Sequence, residues 1–360
     1  MKKRAPALAT QPTFGRATLL LLLLLLCAGV VRGQEEKTAV VATLPYLAEV
    51  ARAVGGDLVT VRSLVPPGTD PHVLVPTPAL SVAVAEADVY LENGFQLELW
   101  SERVLDGARN PNVRPGTPGH LYAGNGITPL QVPAQQSRAF GDIHPAGNPH
   151  LWLDPLNLRV VARNVERTLA TVRPTGTKQF AENRAAFERR LDDAFYGADL
   201  VKILGVELLD RLHRSGRLAA FLKEKQFQGK PLREKAGGWL ARAQALEGLH
   251  LVTYHQVWTY FAESFGFVVT ATIEEKPGIP PSPGHLEQLE ARAKADGAKL
   301  VECSAFYPFS RAEEVAARIG GVALRLPTQP GEEEAGDLFA MFDAIFSKLE
   351  AASREAQKRP

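Results

Sequence analysis

Residues 39–65 read A-V-V-A-T-L-P-Y-L-A-E-V-A-R-A-V-G-G-D-L-V-T-V-R-S-L-V. Ala39–Leu44 is a short run of small and β-branched residues, too brief to nucleate a helix. Past Pro45, the segment Tyr46–Val54 spaces its apolar residues three and four apart, and Gly55-Gly56 ends that pattern before Leu58–Val65 returns to β-branched spacing. Strand, helix, strand in this order is the βαβ unit of a parallel sheet covered by helices. The rhythm continues through Pro78–Ala87, Val89–Glu92 and Leu97–Gly107. It resumes at strand Leu249–Tyr254, helix Val257–Phe265, strand Phe267–Ile273, helix His285–Asp296, strand Lys299–Glu302, helix Arg311–Ile319, strand Val322–Leu326 and a last helix from about Gly336 to Ala352. The expected fold class is α/β, with two α/β lobes, and no sequence repeat relates them.

Between the two stretches, Asn110–Pro149 is rich in glycine and proline and reads as irregular loop and strand. Asp154-Pro155 then opens a helix to about Val172, with Asp154 as N-cap and Pro155 at the first helical position. Residues 175–196 form one long amphipathic helix, with Phe180, Phe187, Leu191 and Ala194 on one face. From Asp199 to about Leu246 the composition stays helical but is broken by G-K-P-L and G-G-W, the pattern of an inserted helical subdomain. The expected organisation is a signal peptide at 1–33, an N-terminal lobe at 34–174, a linking helix at 175–198, a helical insert at 199–248 and a C-terminal lobe at 249–360.

The first residues bear on the compartment. Lys2, Lys3, Arg4 and Arg16 precede the apolar block Leu19–Val31 with no acid among them, and Val31-Arg32-Gly33 supplies a small residue for cleavage before Gln34. That block is shorter than the ~18 residues a membrane-spanning helix usually needs. The protein is therefore expected outside the cytoplasm, in the periplasm. Cys27 would be the acylated residue of a lipoprotein, but Leu26 stands before it where a small residue is usual. The whole chain holds 41 basic and 40 acidic residues, and removing Lys2, Lys3, Arg4, Arg16 and Arg32 leaves 36 against 40. A mildly acidic chain does not suit nucleic acid or an anionic membrane surface. Only Cys303 then remains, so stability comes from a core rather than from disulfides.

Chemistry concentrates in three histidines at element ends: His72 in P-P-G-T-D-P-H, His150 in G-N-P-H-L-W-L-D-P and His255 in L-V-T-Y-H-Q-V-W. Neutral imidazole is the commonest protein ligand of transition metals. His72 lies beyond the strand ending at Val65 and His255 directly follows the strand ending at Tyr254, and open α/β sheets bind ligands outside the carboxyl ends of their strands. Pro71 and Pro149 stiffen the chain just before two of them. His120, His213, His250 and His285 read as ordinary polar residues, and His144 as an accessory metal carrier.

The segments V-V-A-T-L-P-Y-L-A-E-V-A-R-A-V-G-G-D, L-V-P-P-G-T-D-P-H, N-P-H-L-W-L-D-P, V-T-Y-H-Q-V-W-T-Y-F and E-E-K-P-G-I-P-P-S-P-G-H-L occur in that order. Together they resemble the zinc/manganese solute-binding proteins of bacterial ABC importers, the cluster A-I family, over nearly all of the mature chain apart from about 199–246. The resemblance implies two lobes joined by one rigid helix and a metal held between them by His72, His150 and His255. It implies delivery to a membrane permease by a monomer. For the insert it leaves open a contact with the permease, a contact with a metallochaperone, or no role beyond a family elaboration. The family commonly adds an aspartate after the strand preceding the last helix, where this chain has L-R-L-P-T-Q-P-G with Thr328 and Gln329. Glu302, at a strand end, is the carboxylate expected to substitute, with water as the other option. Glu274 and Glu275 stand where the family shows E-P-K-P-G and read as loop residues.

Three imidazoles with at most one carboxylate or water suit Zn²⁺, whereas Mn²⁺ takes more oxygen ligands, and Cu²⁺ or Ni²⁺ would rival zinc on affinity alone. Protons compete for the same nitrogens, so affinity is expected to fall below about pH 6.5. Two other readings use the same residues. A secreted zinc hydrolase would need a general base, for which Asp70 is the nearest group, and H-E-x-x-H is absent. A surface adhesin or lipoprotein would need Cys27 acylated.

Overall fold

The computed structural model describes Met1 and residues 36–134, 144–276, 278–332 and 335–359. The expected signal peptide and Cys27 lie outside these residues. Among the described residues no helix is long and apolar enough to cross a membrane.

Thr38–Pro360 forms one compact unit containing two four-stranded sheets. The first is built from β1 (Thr38–Ala42), β2 (Val59–Ser63), β3 (Val89–Glu92) and β4 (His120–Tyr122), in the order β2-β1-β3-β4. All its pairings are parallel, with Thr38 opposite Val59, Val40 opposite Val89 and Tyr90 opposite His120. A two-residue antiparallel pair follows, β5 (Gln226–Phe227) with β6 (Lys230–Pro231). The second sheet contains β7 (His250–Thr253), β8 (Val268–Thr272), β9 (Leu300–Cys303) and β10 (Val322–Arg325), ordered β8-β7-β9-β10 and again parallel. Both sheets thus place their strands second, first, third, fourth. The lobes share a topology although no sequence repeat betrays it.

Parallel strands put all carboxyl ends of a sheet on one edge, and the order reverses between the first and third strands of each lobe, which opens a crevice there. Helices cover the faces, which is why β3 and β9 are buried at every residue, Glu92 and Glu302 included. The helix starts follow their caps. The Asp154 carboxylate accepts the Leu156 N–H at 2.8 Å ahead of helix Pro155–Val172, as expected. Asp337 accepts the Ala340 N–H at 2.8 Å, so the last helix begins at Leu338 rather than Gly336 and runs to Ala356. The helix expected at Val257–Phe265 opens instead with a 3₁₀ turn, Gln256–Trp258, and is α-helical from Thr259.

The long helix spans Thr177–Tyr196 and buries Phe180, Phe187, Leu191, Phe195 and Tyr196, while Ala194 is only partly covered. It ends at Gly197, with φ of +85°, against Gly237: a Cβ on Gly197 would stand 2.4 Å from the Gly237 Cα. The segment expected as a helical insert contains four helices, Ala198–Leu204, Val206–Arg214, Leu218–Glu224 and Gly238–Ala245, together with the β5–β6 pair. One contact between the two lobes runs through Tyr46, Trp152 and the segment after β10. Tyr46 and Trp152 stack at 5.1 Å between ring centroids, the Trp152 indole N–H donates to the Thr328 carbonyl at 2.7 Å, and the Tyr46 N–H donates to Gln329 Oε1 at 3.1 Å.

Candidate metal centre

His72 and His150 are presented by the same local device. Asp70 Oδ1 accepts both the backbone N–H of His72, at 2.9 Å, and its Nδ1–H, at 2.7 Å. Asn148 Oδ1 does the same for His150, both at 2.9 Å. An Asx side chain that captures the residue two positions on closes an Asx turn, and the intervening proline presets its backbone. The ring is thereby locked by its own chain. His255 comes from the other sheet, directly beyond β7, and its Nδ1–H is held by Glu274 Oε2 at 2.7 Å, Glu274 lying just beyond β8. The Glu274 N–H in turn donates to the Tyr254 carbonyl at 3.0 Å, which ties the two strand ends together.

In a neutral ring, an oxygen acceptor on Nδ1 assigns the proton to that nitrogen and leaves Nε2 with a lone pair. One ligand atom from each of His72, His150 and His255 lies within 4.8 Å of the others. The ring centroids form a nearly equilateral triangle, 5.3 Å from His72 to His150 and 5.5 Å on the other two sides. His150 and His255 are 2% and 4% exposed, and His72 Nε2 is buried with no hydrogen-bond partner in the protein. A buried imidazole nitrogen without a partner is costly unless an ion or water meets it. Burial, followed by the neighbouring His72, His255 and His144, pushes the pKa of His150 well below the usual imidazole range, so this ring is neutral at pH 7. Burial works to raise the pKa of Asp70, but its hydrogen bonds and proximity to His72 outweigh that and lower it, so Asp70 is ionised.

The remaining candidates fall elsewhere. Glu302 is not in the convergent group: it is fully buried, accepts from Ser304 Oγ at 3.1 Å and from the Tyr254 N–H at 3.4 Å, and burial pushes its pKa up to about 7. Its side chain turns into its own lobe. Thr328 donates through its hydroxyl to Glu332 at 2.9 Å and Gln329 is engaged by Tyr46, so both serve the contact between lobes. The His144 ring stands 5.2 Å from that of His72, beside the trio rather than within it. His250 contacts Thr270, His285 contacts the Thr272 carbonyl and His213 contacts Ser264, all as ordinary polar residues. His120 Nε2 faces Glu92 at 3.6 Å. A cavity of about 880 Å³ beside Glu92, Glu98 and Tyr122 includes none of the three histidines in its lining.

Two residues that hold the site were not singled out from sequence as doing so, Asn148 and Glu274. The echo between D-P-H and N-P-H was a readable signal for the first. Asp70, the base a hydrolase would need, is committed to His72.

The family described as ZnuA, zinc-uptake complex component A, periplasmic, matches residues 40–195 and 230–352. The unmatched stretch between them is narrower than the expected insert, since the match resumes before the helix Gly238–Ala245. The chain is 28% identical over 179 residues to the iron-binding protein YfeA of Yersinia pestis, covering 50% of each. It is 25% identical over 187 residues to the manganese ABC transporter substrate-binding lipoprotein PsaA of Streptococcus pneumoniae, covering 49% of this chain and 57% of that one. These alignments span about half the length of the curated relatives. Among solved structures, a crystal structure of ZnuA superposes with a TM-score of 0.64 at 24% identity, covering 88% of this chain and 99% of that one. A manganese-bound periplasmic metal-binding protein from Candidatus Liberibacter asiaticus gives 0.63 at 19% identity, covering 87% and 98%.

Proposed function

The chain belongs to the ZnuA family of periplasmic metal-binding proteins, and on that premise we propose that it captures one divalent metal ion, zinc above others, and delivers it to the membrane permease of an ABC importer. The family's members are substrate-binding components, not enzymes. The observation that carries the reading is the convergence of His72 and His150 from one lobe with His255 from the other. An ion shared by these residues would bridge the two sheets and so mark the loaded protein by its geometry. Zinc is preferred because three imidazoles with no carboxylate among them give a nitrogen-rich, low-coordinate site, whereas manganese is usually held by more oxygens. Relatives named for iron and manganese make this preference the part most in need of measurement.

In this account the protein performs no bond chemistry on its cargo. The hydrogen bonds to Nδ1 hold the three rings in place, burial removes competing water, and the long helix Thr177–Tyr196 limits closure to a small rotation. The test is calorimetric titration of the mature protein with Zn²⁺ and Mn²⁺, comparing the parent with His72→Ala, His150→Ala, His255→Ala and His120→Ala. The expected result is one tight zinc site per chain, weakened at least about a hundredfold by each of the first three substitutions and untouched by the fourth. A parental zinc affinity in all three would overturn the assignment, and tighter manganese than zinc binding would overturn the preference.

A further inference from the structure

Asn148 is placed to do more than orient His150. Its side-chain amide faces two ways. Oδ1 accepts the N–H and Nδ1–H of His150, while Nδ2 donates to the backbone carbonyl of Gln256 at 2.7 Å and to Thr259 Oγ1 at 3.1 Å, with Gln131 Oε1 also at 2.9 Å. Gln256 and Thr259 belong to the segment that follows His255, so they move with the second lobe. The backbone of Asn148 joins the same contact: its carbonyl accepts from the Tyr260 hydroxyl at 3.1 Å, and that oxygen accepts the Leu130 N–H at 3.2 Å. Asn148 is 5% exposed, and water has little access to these bonds.

We propose that Asn148 is a positioning residue that couples cargo at His150 to the contact between the two lobes; the proposal rests on His150 being a metal ligand. A carboxamide is planar, so Oδ1 and Nδ2 cannot be aimed independently. Metal on His150 Nε2 fixes the ring, the ring fixes Nδ1–H, and Nδ1–H fixes the plane that points Nδ2 at Gln256 and Thr259. The coupling runs both ways: whatever orders the contact with the second lobe also pre-orders His150 for metal. This also explains why the two matching turns differ in one atom. Asp70 needs only to accept from His72. At position 148 a carboxylate could still accept from His150 but would confront the Gln256 carbonyl, where only a donor fits.

The test uses the full mature chain with Zn²⁺ as probe and follows amide exchange in residues 256–262. Zinc should slow exchange there by about tenfold or more in the parent. In Asn148→Asp, which keeps the acceptor and removes the donors, zinc should still bind but the slowing should shrink to within about twofold. Thr259→Val, which leaves every histidine and its Nδ1 partner in place, should weaken zinc binding by about three- to tenfold. Combined with Asn148→Asp it should add little, the signature of one shared pathway. Undiminished slowing in Asn148→Asp, or parental affinity in Thr259→Val, would overturn the proposal. Parental zinc affinity in His150→Ala would instead overturn the ligand assignment on which it stands.

Discussion

At the scale of single residues, the three histidines are oriented by groups outside the trio. Asp70, Asn148 and Glu274 each accept a hydrogen bond from the Nδ1–H of one histidine and so decide which nitrogen faces the cleft. Removing such a partner typically costs 10–100-fold in metal affinity. Asp70→Ala and Glu274→Ala are therefore each expected to weaken zinc binding by about that factor, measured by competition with a chromophoric chelator, while leaving the stoichiometry at one. An unchanged affinity would mean that packing alone orients the rings. The three histidines were legible in the sequence because two follow an Asx-Pro pair and the third ends a recognisable strand. Glu302 stands outside the convergent group; strand-end placement locates a backbone and says nothing of where a side chain on it turns. Its carboxylate is taken by Ser304 and the Tyr254 N–H. Glu274 was harder to read, since its role depends on β7 and β8 lying side by side, and pairing is not written in either strand alone.

At the scale of elements, the unmatched segment is fastened to the lobe that bears His150. Arg159, 4% exposed on helix Pro155–Val172, forms ion pairs with Asp192 on the long helix and Asp210 on helix Val206–Arg214. The Tyr196 hydroxyl adds a bond to Asp210 at 2.9 Å. Breaking a buried ion pair by removing one partner strands the others and costs about 3–5 kcal/mol. Arg159→Met should lower the free energy of unfolding, measured by urea titration, by that amount with zinc stoichiometry intact, and a loss under about 1 kcal/mol would show that the segment is held by apolar packing instead. The long periodic elements were read correctly from the sequence, including the cap at Asp154. β4, β5 and β6 were not, because runs of two or three residues are too short to show a period of two.

At the scale of the whole molecule, two lobes of one topology face each other across the histidines, and acid acts on their folding. Burial, with Arg214 and Arg159 nearby, lowers the pKa of His213 to about 4. The unfolded chain takes up this proton near pH 6.5 and the folded one only near 4, so the contribution of His213 is intact above 6.5 and lost as pH falls across that interval. Metal-free parent should therefore lose about 2–3 kcal/mol relative to His213→Gln between pH 6.5 and 4, read as the difference in unfolding free energy from urea titrations at each pH. A constant difference would refute it. The shared strand order was invisible in the sequence because topology is carried by where apolar runs fall, and many unrelated residues satisfy the same pattern. The two-lobed α/β architecture was legible for the same reason, since the alternation of runs survives without identity. The claim that one ion joins the lobes through three imidazoles is tested most directly by X-ray absorption at the zinc edge of the loaded mature protein. Three imidazole nitrogens at about 2.0–2.1 Å are expected, with one fewer in His255→Ala. An imidazole count that stays the same when His255 is removed would contradict the account.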